Sequence, residues 1–175
     1  MTHTGTTDMT DSTATTGGAG TGDTARGRID FARSLPKARR ALVQLGMAAR
    51  TSLDATLIEL VQIRASQING CAYCLYLHTA DASRAGESPE RLALVAAWRE
   101  AGRFFTERER AALAFTESVT RLDDGVSDTV YAETARHFDE DELSQLLALV
   151  VSINAWNRVA LATAKETGLD DRRAP

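Results

Sequence analysis

Six helix-start signatures punctuate this chain, and almost nothing in it asks for another kind of element. Ser34-Leu-Pro36 opens a first helix, with Pro in the first turn where a missing N–H is harmless. Thr51-x-x-Asp54 precedes the apolar positions Leu53, Leu57, Leu60, Val61 and Ile68, and Gly70 closes that segment. Ser88-Pro89-Glu90 starts another helix beyond Gly86, and Thr106-x-x-Glu109 reads as a capping box ahead of Ala111, Leu113, Phe115 and Val119. Ser127-Asp128 and Asp139-x-x-Glu142 open the last two, the final helix running from about Glu140 to Glu166. No run alternates with period 2, and no Asn-Gly or Asp-Gly turn joins two β-branched runs, so no strand is expected. The fold class is therefore all-α.

The chain of 175 residues is long enough to bury one real core. Residues 1–26 are dominated by Thr, Gly, Ser and Asp, a composition that cannot offset the entropy of ordering; they are expected to form a disordered tail ahead of a helical domain over 27–175. The net charge of -4 argues against non-specific nucleic-acid binding, which needs a basic face to displace phosphate counterions. No stretch approaches the roughly 20 apolar residues that span a bilayer. The N-terminus has neither a basic segment nor an apolar one of the secretory kind, so a cytoplasmic location is expected, with no membrane partner. In a reducing compartment, two cysteines three residues apart suggest a reactive or metal-binding pair rather than a structural disulfide.

Those cysteines lie in the segment Asn69-Gly70-Cys71-Ala72-Tyr73-Cys74-Leu75-Tyr76-Leu77-His78. Gly70 ends one helix, so Cys71 falls at the start of the next. Cys71, Cys74 and His78 then recur at i, i+3, i+7 and share one face, with Tyr73 pointing to the opposite side. Unpaired N–H groups and the helix dipole at an N-terminus favour a thiolate. The i, i+3 spacing lets the sulfurs meet, and an imidazole one turn beyond Cys74 can move a proton near neutral pH.

Other readings stay open at this level. A zinc site needs about four ligands; Cys71, Cys74 and His78 supply three, so a water or carboxylate would have to complete it. A thioredoxin-type motif would follow a strand. Two small buried cysteines beside a satisfied histidine would be the plainest account. Glu59 could face solvent on an amphipathic helix, or be a partly buried acid among Leu57, Ile58, Leu60 and Val61, where burial would raise its pKa into a useful proton-transfer range.

The string Leu53 to Gly86, with Glu59, Cys71, Cys74 and His78, resembles the alkylhydroperoxidase D-like branch of the carboxymuconolactone decarboxylase superfamily. Ile153-Asn154-Ala155-Trp156-Asn157-Arg158 is similar to that family's C-terminal signature, and the likeness spans roughly residues 30–165. It implies a helical subunit that reduces hydroperoxides: Cys74 attacks the peroxide, Cys71 resolves the sulfenic acid, and Glu59 with His78 relays protons. It also implies an external dithiol or redox-protein reductant, no cofactor or metal, and a homo-oligomer (dimer, trimer or hexamer), for which Trp98 and Trp156 offer interface aromatics. Tyr73 stands where the best-known members resemble Cys-x-His-Cys; this departure bears on substrate and reductant. A dithiol–disulfide oxidoreductase acting on proteins or small molecules and a non-catalytic helical module with a metal or ligand pocket are the competing functions. For the C-terminal motif a structural role is preferred: Trp156, Val150, Val151, Ile153 and Ala155 would bury the helix, and Arg158 would pair with an acid near the active helix only as a guess.

Overall fold

The computed structural model describes residues 28–123, 125–170 and 172; the tail expected over residues 1–26 lies outside them. Eight α-helices follow one another: α1 (Phe31–Ser34), α2 (Pro36–Ala48), α3 (Ala55–Asn69), α4 (Ala72–Arg84), α5 (Pro89–Leu94), α6 (Glu107–Arg121), α7 (Asp128–Ala135) and α8 (Glu140–Ala162). Two 3₁₀ turns, Val95–Ala97 and Gly102–Phe104, bridge α5 to α6, and no strand occurs among the described residues.

The capping side chains do what their spacing predicts. Asp54, Ser88, Thr106, Ser127 and Asp139 each accept the backbone N–H three residues on. Thr106 and Asp139 form full capping boxes with Glu109 and Glu142. Ser34 does not cap α2; it ends α1, and Leu35 takes the N-cap position without a side-chain bond. The final helix stops at Ala162 rather than Glu166. There Thr163 Oγ1 turns back to Val159 O, Ala164 adopts a left-handed φ of 50°, and Lys165 N–H closes on Ala160 O at 3.0 Å. That is a Schellman stop built without glycine.

α3 is the central helix and packs against α4, α6 and α8. Leu57, Leu60, Val61 and Ile63 are almost fully buried, and each such leucine contributes roughly 1.5–3 kcal/mol by leaving water. α8 is long and apolar enough to cross a membrane by length and composition, which corrects the expectation that no segment is. It is a core helix here: Leu146, Leu149, Val150 and Ile153 are buried against the domain, while Val151, expected inside, is exposed. A buried carboxylate ties the remaining elements together. Glu117 on α6 receives Arg64 from α3 at 2.7 Å and the indole N–H of Trp98 at 2.9 Å. Trp98 is thus spent inside the helical domain. A small third cluster of Ala65, Cys71, Cys74, Ile153 and Ala160 sits where α3, α4 and α8 converge, and it positions the site.

Candidate active site

The turn between α3 and α4 sets the first sulfur. Gly70 takes a left-handed φ of 66°, and Cys71 N–H reaches back to Ser66 O at 3.0 Å, which reverses the chain and lays α4 on α3. Cys71 becomes the N-cap of α4. Its sulfur takes the place of a capping oxygen and accepts the Cys74 N–H at 3.5 Å. Both cysteines are free thiols and both are buried.

They are not equivalent electrostatically. The Cys71 thiol is lowered to about 6, chiefly by the hydrogen bond from the Cys74 thiol; burial opposes this, and the Cys74 N–H and the Asn157 side chain add to it. The Cys74 thiol is pushed up, first because it serves the neighbouring sulfur, then by burial and by the like charge on Cys71. The pair therefore shares one proton, and its first negative charge rests on Cys71 at the helix N-terminus.

One turn on, His78 Nδ1 lies 2.9 Å from Glu59 Oε2. Glu59 is a buried acid and not a solvent-facing one. With the carboxylate accepting, Nδ1 carries the imidazole proton and Nε2 is left as the base. Arg50 stands 3.9 Å from Glu59 Oε1 and donates to Gln62 Oε1 at 2.8 Å. Asp81 joins the group, with ligand atoms of Glu59, His78 and Asp81 within 4.8 Å of one another. Two guanidinium cations already face it: Arg50 at Glu59, and Arg172 at Asp81 at 2.8 Å. The grouping assembled here is not the Cys71, Cys74, His78 set that a zinc reading required.

From α8 comes a residue that the sequence reading assigned to structure. Asn157 is fully buried, donates to Ser66 Oγ at 3.1 Å and accepts from Asn69 Nδ2 at 2.8 Å, and its amide acts to lower both thiols. A signal for it existed. Asn157 interrupts the buried apolar stripe Leu146, Leu149, Val150, Ile153 and Ala160, and a lone amide in such a stripe needs a partner inside. Arg158 finds no acid among the described residues; it is exposed and bonds back to Asn154 O at 2.9 Å. Nor does Tyr73 turn away from the site: its half-buried ring packs on the cluster holding both cysteines, with Lys165 Nζ 5.9 Å from its centroid. Two shallow apolar hollows lie elsewhere on α4, around Leu75 and Thr79, off the thiol face.

The chain matches the model of the carboxymuconolactone decarboxylase family over residues 35–118. It is 33% identical over 137 residues to the uncharacterized protein YdfG of Bacillus subtilis, an alignment covering 77% of this chain and 92% of that one. A solved structure from Agrobacterium tumefaciens, of a protein of unknown function suggested to be an antioxidant-defence AhpD, matches with a TM-score of 0.76 at 31% identity. That match covers 82% of this chain and 99% of the other. The debrominase Bmp8 has a TM-score of 0.69 at 21% identity, over 77% of this chain and 73% of its own, a likeness of fold alone.

Proposed function

This chain belongs to the carboxymuconolactone decarboxylase family, and we propose that it is an AhpD-like member that reduces hydroperoxides through a Cys71/Cys74 dithiol–disulfide cycle. The observation that carries the reading is the buried cysteine pair, with the Cys74 N–H donating to the Cys71 sulfur and His78 one turn further along α4, paired there with buried Glu59 of α3. Similarity to a protein of unknown function suggested to serve antioxidant defence supports the peroxide substrate, whereas the debrominase shows that the fold by itself does not choose the reaction.

In this scheme the shared proton leaves the sulfur pair through His78 Nε2, with Glu59 holding the imidazole. The Cys74 sulfur attacks the terminal peroxide oxygen; an S–O bond forms, the O–O bond breaks, and the departing alkoxide takes the relay proton to leave as alcohol. Cys71 then attacks the sulfenic acid, forming the disulfide and releasing water. An external dithiol or redox protein returns both thiols by exchange. A cytoplasmic setting would keep such a reductant supplied. Assembly into a homo-oligomer would cover Val43 and Met47 on α2 and Leu147 and Val151 on α8, which the protomer leaves exposed.

The N-cap geometry and the lowered Cys71 thiol favour a second reading in which Cys71 attacks and Cys74, as the thiol, resolves. One experiment separates the two. Each Cys→Ser variant is treated with one equivalent of hydrogen peroxide and probed with a sulfenate-specific reagent and mass spectrometry. Sulfenate on Cys74 in Cys71→Ser, with none in Cys74→Ser, supports the first; the converse supports the second. Full steady-state peroxide consumption by both variants would remove the dithiol cycle altogether.

A further inference from the structure

Along α3, Glu59, Gln62, Ser66 and Asn69 recur at i, i+3, i+7 and i+10, forming one polar stripe on a central helix. Three of the four are accounted for. Glu59 holds His78, while Ser66 and Asn69 hold Asn157, whose amide acts to lower both thiols. Gln62 sits between the His78 end of that stripe and the thiol end, and it is only 4% exposed. Its Oε1 accepts from Arg50 at 2.8 Å. A guanidinium has no acceptor, so this bond sets the amide's orientation and leaves Nε2 as the free end. Nε2 is buried and meets no acceptor among the described residues. Buried donors are nearly always paired, and one held unpaired by a fixed partner on its other end asks for a ligand atom.

We propose that the Gln62 carboxamide donates to the peroxide oxygen that departs as alkoxide or hydroxide. This inference rests on the peroxidase reading above. When the thiolate takes the terminal oxygen, the O–O bonding pair passes to the other oxygen, and the negative charge moves from sulfur to that atom. A neutral N–H donor stabilises this charge without transferring a proton, and the proton that completes the alcohol or water comes from the relay. Arg50, by polarising the amide through Oε1, makes Nε2 a stronger donor and holds it still; Arg50 is the positioning residue. The ligand class is a hydroperoxide, either hydrogen peroxide or an alkyl hydroperoxide.

The test compares two reactions of the reduced, full-length protein. Stopped-flow oxidation by hydrogen peroxide and by cumene hydroperoxide develops charge on a leaving oxygen; alkylation by iodoacetamide breaks a C–I bond instead, and its charge leaves on iodide, a large and weak hydrogen-bond acceptor. Gln62→Glu keeps a partner for Arg50 but removes the donor, and Gln62→Met removes both while keeping the volume, so one serves if the other does not fold. Compared at a pH where the reactive thiolate is fully formed in every protein, the expected result is a fall of about 10- to 100-fold in the peroxide rate constant for both hydroperoxides, with the alkylation rate unchanged within about twofold. Wild-type peroxide rates in the variants would overturn the proposal, as would a parallel fall in alkylation, which marks a residue that only holds the thiols in place. If the wild-type protein itself were oxidised by a disulfide but not by either peroxide, the peroxidase reading would fall, and this inference with it.

Discussion

Asn157→Ala separates the amide's service to the sulfurs from its service to the fold. The Asn157 amide acts to lower both thiols and helps bring Cys71 to about 6. Losing one hydrogen bond to a charged group costs about 1.5–3 kcal/mol. At about 1.4 kcal/mol per pKa unit, the Cys71 midpoint should rise by about 1–2 units. At pH 6.5 the thiolate fraction then falls roughly three- to 25-fold, and iodoacetamide alkylation slows by the same factor. The fold loses less. Asn69 keeps its bond to Asn154 at 2.9 Å, so Ser66 is the main group left short, at about 2 kcal/mol, or about 4–8 °C in Tm for a chain of this size. The assay is the pH dependence of alkylation together with thiolate absorbance at 240 nm; in the wild type one thiolate, not two, should appear with a midpoint near 6. Asn154→Ala is the control. It removes bonds to Asn69 and Thr120 but none to sulfur, and should lower Tm while leaving the midpoint in place. A midpoint in Asn157→Ala within about 0.3 unit of wild type, despite the Tm loss, would refute the electrostatic role.

Two further predictions concern the frame. Burial would raise the Glu117 carboxyl, but bonds from Trp98, Arg99 and Arg64 outweigh it and hold the group below its ordinary value. Glu117→Gln leaves Arg64 nearly buried without a counter-charge, at about 3 kcal/mol or more, and Tm should drop by about 6–12 °C. Because the folded value is depressed, this contribution is complete above the ordinary carboxylate range and lost as pH falls through the lowered one. Wild-type Tm should therefore fall more steeply than that of Glu117→Gln below about pH 4. Leu122 ends α6 with φ 56° and is 62% exposed, so Leu122→Gly relieves left-handed strain while giving up little packing; a Tm rise of about 2–4 °C is expected, and a fall would show that the leucine packs.

How much could be read in advance follows the range of the interactions. Caps and apolar stripes are local, so Asp54, Ser88, Thr106, Ser127 and Asp139 announced their helices, and the i, i+3, i+7 spacing placed Cys71, Cys74 and His78 on one face. The end of α8 was misplaced because Ala164 adopts a backbone conformation that ordinarily advertises itself with glycine. The site's cross-helix bonds were harder. Glu59 and His78 are separated by 19 positions, and Asn157 and Ser66 by 91; only the crossing of α3 with α4 and α8 brings them together. Helical periodicity assigns a face to each residue but not the height at which two faces meet. Gln62 illustrates the point: its stripe was legible, yet the choice between a solvated amide and a buried one with an unpaired end depended on Arg50 arriving from the end of α2.

The fold accommodates more than one reaction, so the chemistry of this chain must lie in side chains that the fold does not require. Leu57, Leu60 and Leu146 would hold α3 and α8 together without Glu59, Gln62, Ser66 or Asn157. Burying those four polar groups costs desolvation that apolar residues would not incur, and in three of them hydrogen bonds only recover what burial takes away. Gln62 does not recover it. The interior therefore gives up stability at one place, with one donor unmatched, one turn along α3 from the carboxylate that orients the imidazole. Such an arrangement changes least when charge moves from sulfur to a departing oxygen, because the groups that must respond are aligned before the reaction begins.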